Sequence, residues 1–190
     1  MPQVQTSSID DLCAFLQSRA PNRLPLLVGI DGWTGAGKSK LTKTLVKHLG
    51  GVLISVDDHI DKGKGFYVDA VRCQELREEV LSASSGFVVL DGVCLRTVAA
   101  RCTVLIQSYV YVRRLGPNGI WRDEGTASGA EPAGDVKRRE LELLASIEGD
   151  QAILPSLTEE LIDYHCEHRP YQAADVVFDM KEEPSSDEVD

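Results

Sequence analysis

The sequence predicts an α/β domain in which a parallel sheet is covered by helices on both faces. Two observations lead to this prediction. Short apolar, β-rich segments alternate with helical segments along the chain, as expected when each strand is followed by a crossover helix. The 190 residues, 43% of them hydrophobic, suit one domain with a substantial core. We therefore assign residues 1–180 to a single domain and residues 181–190 to an acidic, disordered tail.

The first part of the chain predicts a leading helix, a strand and a second helix. Ser8 and Asp11 form a variant of the capping box, so the leading helix within residues 1–22 should begin here and end before Pro21. Residues 24–31 are apolar on both faces, as in a central strand of a parallel sheet. Apolar residues then recur at helical spacing until a glycine pair ends this helix. The recurring residues are Leu41, Leu45 and Leu49.

Strands and helices continue to alternate through the rest of the chain. Runs of β-branched and apolar residues predict strands, and apolar residues repeating about every 3.6 positions predict helices. A second capping box, Ser156 with Glu159, should open the last helix, which stops by Pro170. The predicted strands are 52–56, 87–92, 103–112 and 174–179, and the predicted helices between them include 69–83 and 136–148. The apolar face of the latter helix consists of Val136, Leu141, Leu144 and Ile147.

Residues 32–39, Gly-Trp-Thr-Gly-Ala-Gly-Lys-Ser, complete the phosphate-binding pattern G-x-x-x-x-G-K-[ST] between a strand and a helix. Glycines let the backbone turn tightly and direct N–H groups at phosphate oxygens, and the following helix adds the positive end of its dipole. Lys38 should reach the β- and γ-phosphates as a catalytic cation, and the Ser39 hydroxyl should bind Mg²⁺. The motif therefore predicts ATP and Mg²⁺ as cofactors. The expected nucleotide contacts are Gly32, Thr34, Gly35, Ala36, Gly37, Lys38, Ser39 and Lys40.

Acidic residues follow two further predicted strands, and the carboxyl ends of parallel strands share one edge of the sheet. Asp57 is our candidate for the group that orients an attacking hydroxyl and accepts its proton. Asp58 competes for that role and could equally bind Mg²⁺ through water. Asp91, followed by Gly92, resembles a Walker B acid that holds Mg²⁺. The alternative for all three carboxylates is a local role in capping turns.

Residues 113–135 form the least regular segment, which we interpret as a lid. Arg113, Arg114 and Arg122 could neutralise phosphate charge from such a lid, and Arg122 is the candidate catalytic arginine. The alternative is that these arginines are solvated surface charges.

Other aromatic and histidine side chains are assigned less specific roles. Trp121 should pack the lid, and Tyr67 could stack on a substrate ring or pack in the core. His165 and His168 are expected on a helix surface, because further ligands for a zinc site are not evident.

Composition excludes several classes of partner. A formal net charge of −10 argues against nucleic acid or an anionic membrane. We expect no membrane span and no leader peptide, because no long apolar run exists and the first residues lack a basic-then-apolar pattern. The five cysteines include no C-x-x-C pair and are expected to be reduced thiols in a cytoplasmic protein. The expected partner is a small-molecule substrate, and a homo-oligomer is left open.

At four places the chain resembles the uridine kinase and phosphoribulokinase group of P-loop kinases. These are residues 32–39, Val56-Asp57-Asp58-His59-Ile60, Val88-Val89-Leu90-Asp91-Gly92, and the segment from Tyr164 through Pro170 to Val177. The resemblance implies a P-loop NTPase fold similar to that of nucleoside monophosphate kinases and ATP-dependent phosphorylation of a hydroxyl. It maps the base onto Asp57 and the metal-binding acid onto Asp91. Two departures are His59-Ile60, where uridine kinases carry an aromatic pair, and a lid interrupted by glycines.

The sequence thus favours a small-molecule kinase that transfers the γ-phosphate of ATP to a nucleoside or related metabolite. The competing hypothesis is a nucleotide-binding regulatory switch with weak or no kinase activity. Stimulation of ATP consumption by a small hydroxyl compound would distinguish the two.

Overall fold

The structure, a computed structural model, describes residues 3–20, 25–61, 63, 65–149 and 151–182. Within these residues six strands form one sheet in the order β1-β6-β5-β2-β4-β3, and every neighbouring pair is parallel. The strands are β1 Val4–Thr6, β2 Leu26–Gly32, β3 Val52–Ser55, β4 Phe87–Asp91, β5 Ser108–Leu115 and β6 Val176–Lys181. The helices are α1 Ile9–Arg19, α2 Lys38–Leu49, α3 Cys73–Ser82, α4 Leu95–Cys102, α5 Glu124–Ala127, α6 Ala133–Glu148, α7 Ser156–His168 and α8 Pro170–Ala173.

Strand β2 lies between β5 and β4 and is buried along its whole length. Because successive strand residues point to opposite faces, its apolar residues enter two separate cores. Val28 and Ile30 pack with α1 and α2 on one face of the sheet. Leu27 packs with α3, α4 and α7 on the other. This architecture is the predicted parallel sheet covered on both faces.

The carboxyl ends of three strands meet at one edge of the sheet. Asp91, the last residue of β4, is in register with Ile30 of β2 and with Ser55 of β3. Strand β2 continues into the glycine-rich loop, and β3 continues into a 3₁₀ helix, Val56–His59. The predicted phosphate loop and the predicted acidic residues are therefore brought to the same edge.

The start of the chain folds largely as predicted. The Ser8 side chain accepts a hydrogen bond from the backbone N–H of Asp11 and caps α1, which ends at Arg19. Strand β1 was not predicted, because three residues are too short to show a period. It pairs with β6 and forms one edge of the sheet.

The strand predicted at 103–112 is wrong in its bounds. Helix α4 occupies residues up to Cys102 and ends at Thr103, whose φ of 55° is left-handed. Strand β5 therefore begins later, at Ser108, and runs to Leu115. This extension places Arg113 and Arg114 inside a strand, so they are not part of an irregular lid.

Two predictions about the last helices are also corrected. In α6 only Val136 is fully buried; Leu144 is partly buried against the core, whereas Leu141 and Ile147 are exposed. Helix α7 has no side-chain cap, since Pro155 occupies the N-cap position and Ser156 is already helical. The Ser156–Glu159 capping box is therefore absent.

The expectation of reduced thiols is contradicted at one pair, because Cys73 and Cys102 form a disulfide that joins α3 to α4. Lys181, placed in the tail by the sequence, is the last residue of β6, and residues 183–190 lie outside the described residues. The described part of the chain contains no helix long and apolar enough to cross a membrane.

Candidate active site

The phosphate-binding motif forms a loop between β2 and α2 whose lysine folds back over it. The Lys38 ammonium group donates hydrogen bonds to the carbonyl oxygens of Gly32 at 2.9 Å and Trp33 at 2.8 Å. Burial lowers the Lys38 pKa, and the carboxylates of Asp31 and Asp91 oppose that effect. The loop thus holds its cation in place by its own backbone.

Two of the loop glycines are required by their positive φ angles and by close neighbours, which are backbone atoms at Gly32 and a side chain at Gly37. Gly32 has a φ of 151°, and a Cβ there would lie 2.5 Å from the carbonyl oxygen of Val112. Gly37 has a φ of 96°, and a Cβ there would lie 2.9 Å from Cγ of Met180. A side chain at Gly32 would therefore force the loop away from β5, and one at Gly37 would be strained by its φ and would displace the Met180 side chain.

The loop forms one wall of a cavity of about 340 Å³. Eight of the predicted site residues line it together, namely Thr34, Gly35, Gly37, Lys38, Ser39, Lys40, Asp57 and Asp91. The remaining lining residues are Tyr67, Gly92, Val93 and Leu157. Gly32 and Ala36 are buried within the loop and support its shape.

The residues present fit a triphosphate and a hydrated magnesium ion. Ser39 and Lys40, in the first turn of α2, line the cavity, so the positive end of the helix dipole lies at its wall. The described residues contain no cluster of three or more His, Cys, Asp or Glu side chains that could hold a metal on its own. Mg²⁺ in nucleotide sites is bound by one or two protein oxygens together with phosphates and water. Ser39 and Asp91 are suitable donors of this kind.

Asp91 is buried at the end of β4 and is anchored to α2. Its Oδ2 accepts a hydrogen bond from the Thr42 hydroxyl at 3.3 Å. Burial raises the Asp91 pKa, and hydrogen bonds from Ser55 and Thr42 oppose this effect. A cation beside this carboxylate would favour its charged form.

Asp57 lines the same cavity from the 3₁₀ helix after β3. Its Oδ1 accepts a hydrogen bond from the hydroxyl of Tyr67 at 2.7 Å. Burial raises the pKa of Tyr67, and the bond to Asp57 adds to this shift, so the phenol remains a donor. The second carboxylate oxygen of Asp57 is therefore the one available to a substrate. Tyr67, for which the sequence left stacking and packing open, here orients the candidate base.

Asp58 and Arg122 are not among the residues that line the cavity. The Asp58 carbonyl accepts a hydrogen bond from Arg72 at 2.8 Å, and its side chain is exposed. Arg122 forms an ion pair with Glu182 at 2.8 Å, and Glu182 also binds Arg114 at 2.8 Å. The catalytic role of Arg122 and the metal-binding role of Asp58 stay predictions.

Sequence reasoning missed Asp31, a buried carboxylate at the end of β2. Its Oδ1 accepts a hydrogen bond from the backbone N–H of Gly32 at 2.8 Å, and its Oδ2 accepts one from the hydroxyl of Tyr164. Burial raises the Asp31 pKa, although these hydrogen bonds lower it. The signal was present, since a single acid inside an apolar strand must have polar partners when buried.

The expectation that His165 lies on a helix surface is wrong. The side chain is fully buried beneath the loop, with its ring 5.2 Å from that of Trp33. Its two ring nitrogens lie 2.8 Å from the Leu161 carbonyl and 3.0 Å from the Tyr111 hydroxyl. Nε2 of His168 forms a hydrogen bond with the Thr97 hydroxyl at 3.0 Å. Neither histidine belongs to a group of potential metal ligands, since the described residues contain none.

Comparison with known proteins supports the fold. No protein-family model matches the chain, and no curated protein sequence matches it. A possible uridine kinase from Bacillus stearothermophilus superposes with a TM-score of 0.53 at 18% identity, over 90% of this chain and 97% of that one. Shikimate kinase from Bacteroides thetaiotaomicron gives a TM-score of 0.41 at 18% identity, over 81% and 85% of the two chains. The similarity in fold therefore rests on the first of these two structures, which has the higher TM-score. The predicted P-loop NTPase fold, with a parallel sheet flanked by helices as in that kinase-like protein, is confirmed.

Proposed function

We propose that the protein is an ATP-dependent kinase that transfers the γ-phosphate to a hydroxyl group of a small molecule. The observation that carries this proposal is that Lys38, Ser39, Asp57 and Asp91 line one cavity. Phosphoryl transfer needs a phosphate cradle, charge neutralisation and a group that orients the nucleophile. Residues suited to all three line the same space.

Each residue has a role that follows from its position. The loop backbone and Lys38 bind phosphate oxygens and neutralise charge that develops on them. Ser39 and Asp91 hold Mg²⁺, which supplies further neutralisation of that charge when bound. Asp57, with one oxygen held by Tyr67, receives the hydroxyl proton on the other. The acceptor would bind against the lining residues outside the loop with aromatic or apolar side chains, which are Tyr67, Val93 and Leu157.

A nucleoside is the acceptor class that we propose first. It is supported by the sequence resemblance to uridine kinases and by the mixed aromatic and apolar wall beside Asp57. An aromatic base can pack against such a wall while the ribose presents a hydroxyl.

The test is incubation with Mg²⁺-ATP and a mixture of nucleosides, vitamins with hydroxyl groups and simple sugars, followed by mass spectrometry. A compound that gains one phosphate with wild-type protein, and not with Lys38→Ala, would support the kinase and name its acceptor. Lys43→Ala is the matched control, because Lys43 lies exposed on the same helix outside the cavity. Binding of ATP without any phosphorylated product would instead favour the regulatory switch.

A further inference from the structure

Glu160, on the second turn of α7, binds the backbone of a segment far away in the sequence. Its two carboxylate oxygens accept hydrogen bonds from the backbone N–H groups of Tyr67 at 2.6 Å and Val68 at 2.9 Å. Adjacent N–H groups that share one carboxylate form a charge-assisted, two-point contact, which is stronger and more directional than a single neutral bond. The helix thereby fixes both the position and the orientation of this turn.

The segment held by Glu160 is the one that orients the candidate base. The Tyr67 hydroxyl bonds to Asp57, and the phenol also contacts the backbone of Val93 at the cavity wall. Val68, next in the chain, is buried against the core. Glu160 is therefore connected to Asp57 through Tyr67, although it does not itself line the cavity.

The same helix is fixed to the phosphate loop one turn later. Tyr164, four residues after Glu160, donates its hydroxyl hydrogen to Asp31, which in turn accepts from Gly32. Residues separated by four positions lie on the same side of a helix. Leu161 and Ile162 between them are fully buried, so α7 cannot rotate or slide without opening the core.

We propose that Glu160 is a positioning residue, which sets the distance between the candidate base and the phosphate loop by fixing Tyr67 to α7. The proposal rests on the proposed kinase function. Loss of Glu160 frees the Tyr67 segment, so Asp57 loses its fixed orientation while the nucleotide cradle remains intact. Because transfer depends steeply on alignment of the reacting groups, Glu160→Ala lowers kcat/KM for the acceptor by about 10- to 100-fold. The KM for ATP is unchanged.

Hydrogen exchange tests the contact without any need for activity. Amides in the peptide 65–71 should exchange at least several-fold faster in Glu160→Ala than in the wild type, while peptides from the phosphate loop are unaffected. Glu160→Gln keeps one accepting oxygen and should give an intermediate rate. The matched control is Glu159→Ala, which removes the neighbouring carboxylate on the same helix. Equal exchange rates of the 65–71 amides in Glu160→Ala and in the wild type would overturn the proposal.

A double-mutant cycle tests whether Glu160 acts through Tyr67. If it does, Tyr67→Phe and Glu160→Ala lower kcat/KM for the acceptor, and the double variant is no worse than the poorer single variant. If the decreases in kcat/KM of the two single variants multiply in the double variant, the two residues act independently and the proposal is overturned. If the wild-type protein phosphorylates no compound, the proposed function fails by itself, and hydrogen exchange still decides whether Glu160 fixes the Tyr67 segment.

Discussion

Replacing His165 with glutamine should remove a pH-dependent part of the free energy of unfolding. The Leu161 carbonyl accepts from Nδ1 of His165, so in the neutral ring Nε2 accepts a hydrogen bond from the Tyr111 hydroxyl. Protonation of Nε2 would replace this accepted bond with a second donor in a fully buried site. Burial accordingly lowers the His165 pKa to about 4.

The magnitude follows from linkage between proton binding and folding. An unfolded histidine has a pKa of about 6.5, so between that value and about 4 the unfolded chain binds more protons than the folded one. Stability must then fall as the pH falls through this window. For these two values the His165 contribution between pH 7.5 and pH 5.5 is a loss of about 1.3 kcal/mol. Below about pH 4 the loss approaches about 3 kcal/mol.

Urea unfolding at pH 7.5 and pH 5.5 measures this contribution as a difference. The wild type should lose about 1.3 kcal/mol more than His165→Gln between the two values, whatever the packing cost of the substitution at pH 7.5. His48→Gln, at an exposed position on α2, shows how much any histidine replacement changes the difference. If His165→Gln loses as much as the wild type between the two pH values, the buried neutral histidine is not the cause.

Three further predictions concern the site and the disulfide. Gly37→Ala should weaken ATP binding at least tenfold by calorimetry, because its φ of 96° and the nearby Met180 exclude a Cβ; unchanged affinity would contradict the described loop. Asp57→Asn should keep ATP binding and lower kcat by roughly 10²–10⁴ in the phosphorylation assay, and full activity would remove Asp57 from the mechanism. Reduction of the Cys73–Cys102 bond, across a sequence separation of 29 residues, should lower the free energy of unfolding by about 3–4 kcal/mol. Cys73→Ser should be insensitive to reductant, and thiol labelling of the untreated wild type at both cysteines would refute the bond.

The phosphate loop could be predicted from sequence because its constraints are local. Gly32 and Gly37 are needed where they stand for their own backbone conformation, and α2 begins directly after them. Asp91 was equally predictable, since an acid at the end of an apolar run lies at the carboxyl edge of a parallel sheet. Each inference needed only the residues within a few positions of the one predicted.

The arginines and the buried histidine could not be placed in this way. Arg113 and Arg114 continue β5 because β6 pairs with it in register as far as Lys181, and each paired residue lies 66 positions away in the chain. Arg113 in addition binds Asp179 across that pair. His165 has the polarity of a surface residue, and its burial is acceptable because the Leu161 carbonyl and the Tyr111 hydroxyl of β5 bind its two ring nitrogens.

Helix α7 shows why polarity alone misleads at such positions. A polar residue on a helix can face water or can bind a distant segment, and the sequence pattern is the same in both cases. In α7 Glu160 binds the Tyr67 segment, Tyr164 binds Asp31, and His165 binds Tyr111. Each contact has a different consequence, for acceptor alignment, for the start of the phosphate loop and for acid stability. Because the first and third are measured by separate assays, Glu160→Ala should leave the pH dependence of unfolding unchanged while His165→Gln alters it. If either substitution changed both kcat/KM for the acceptor and the pH dependence of unfolding, α7 would respond as a whole.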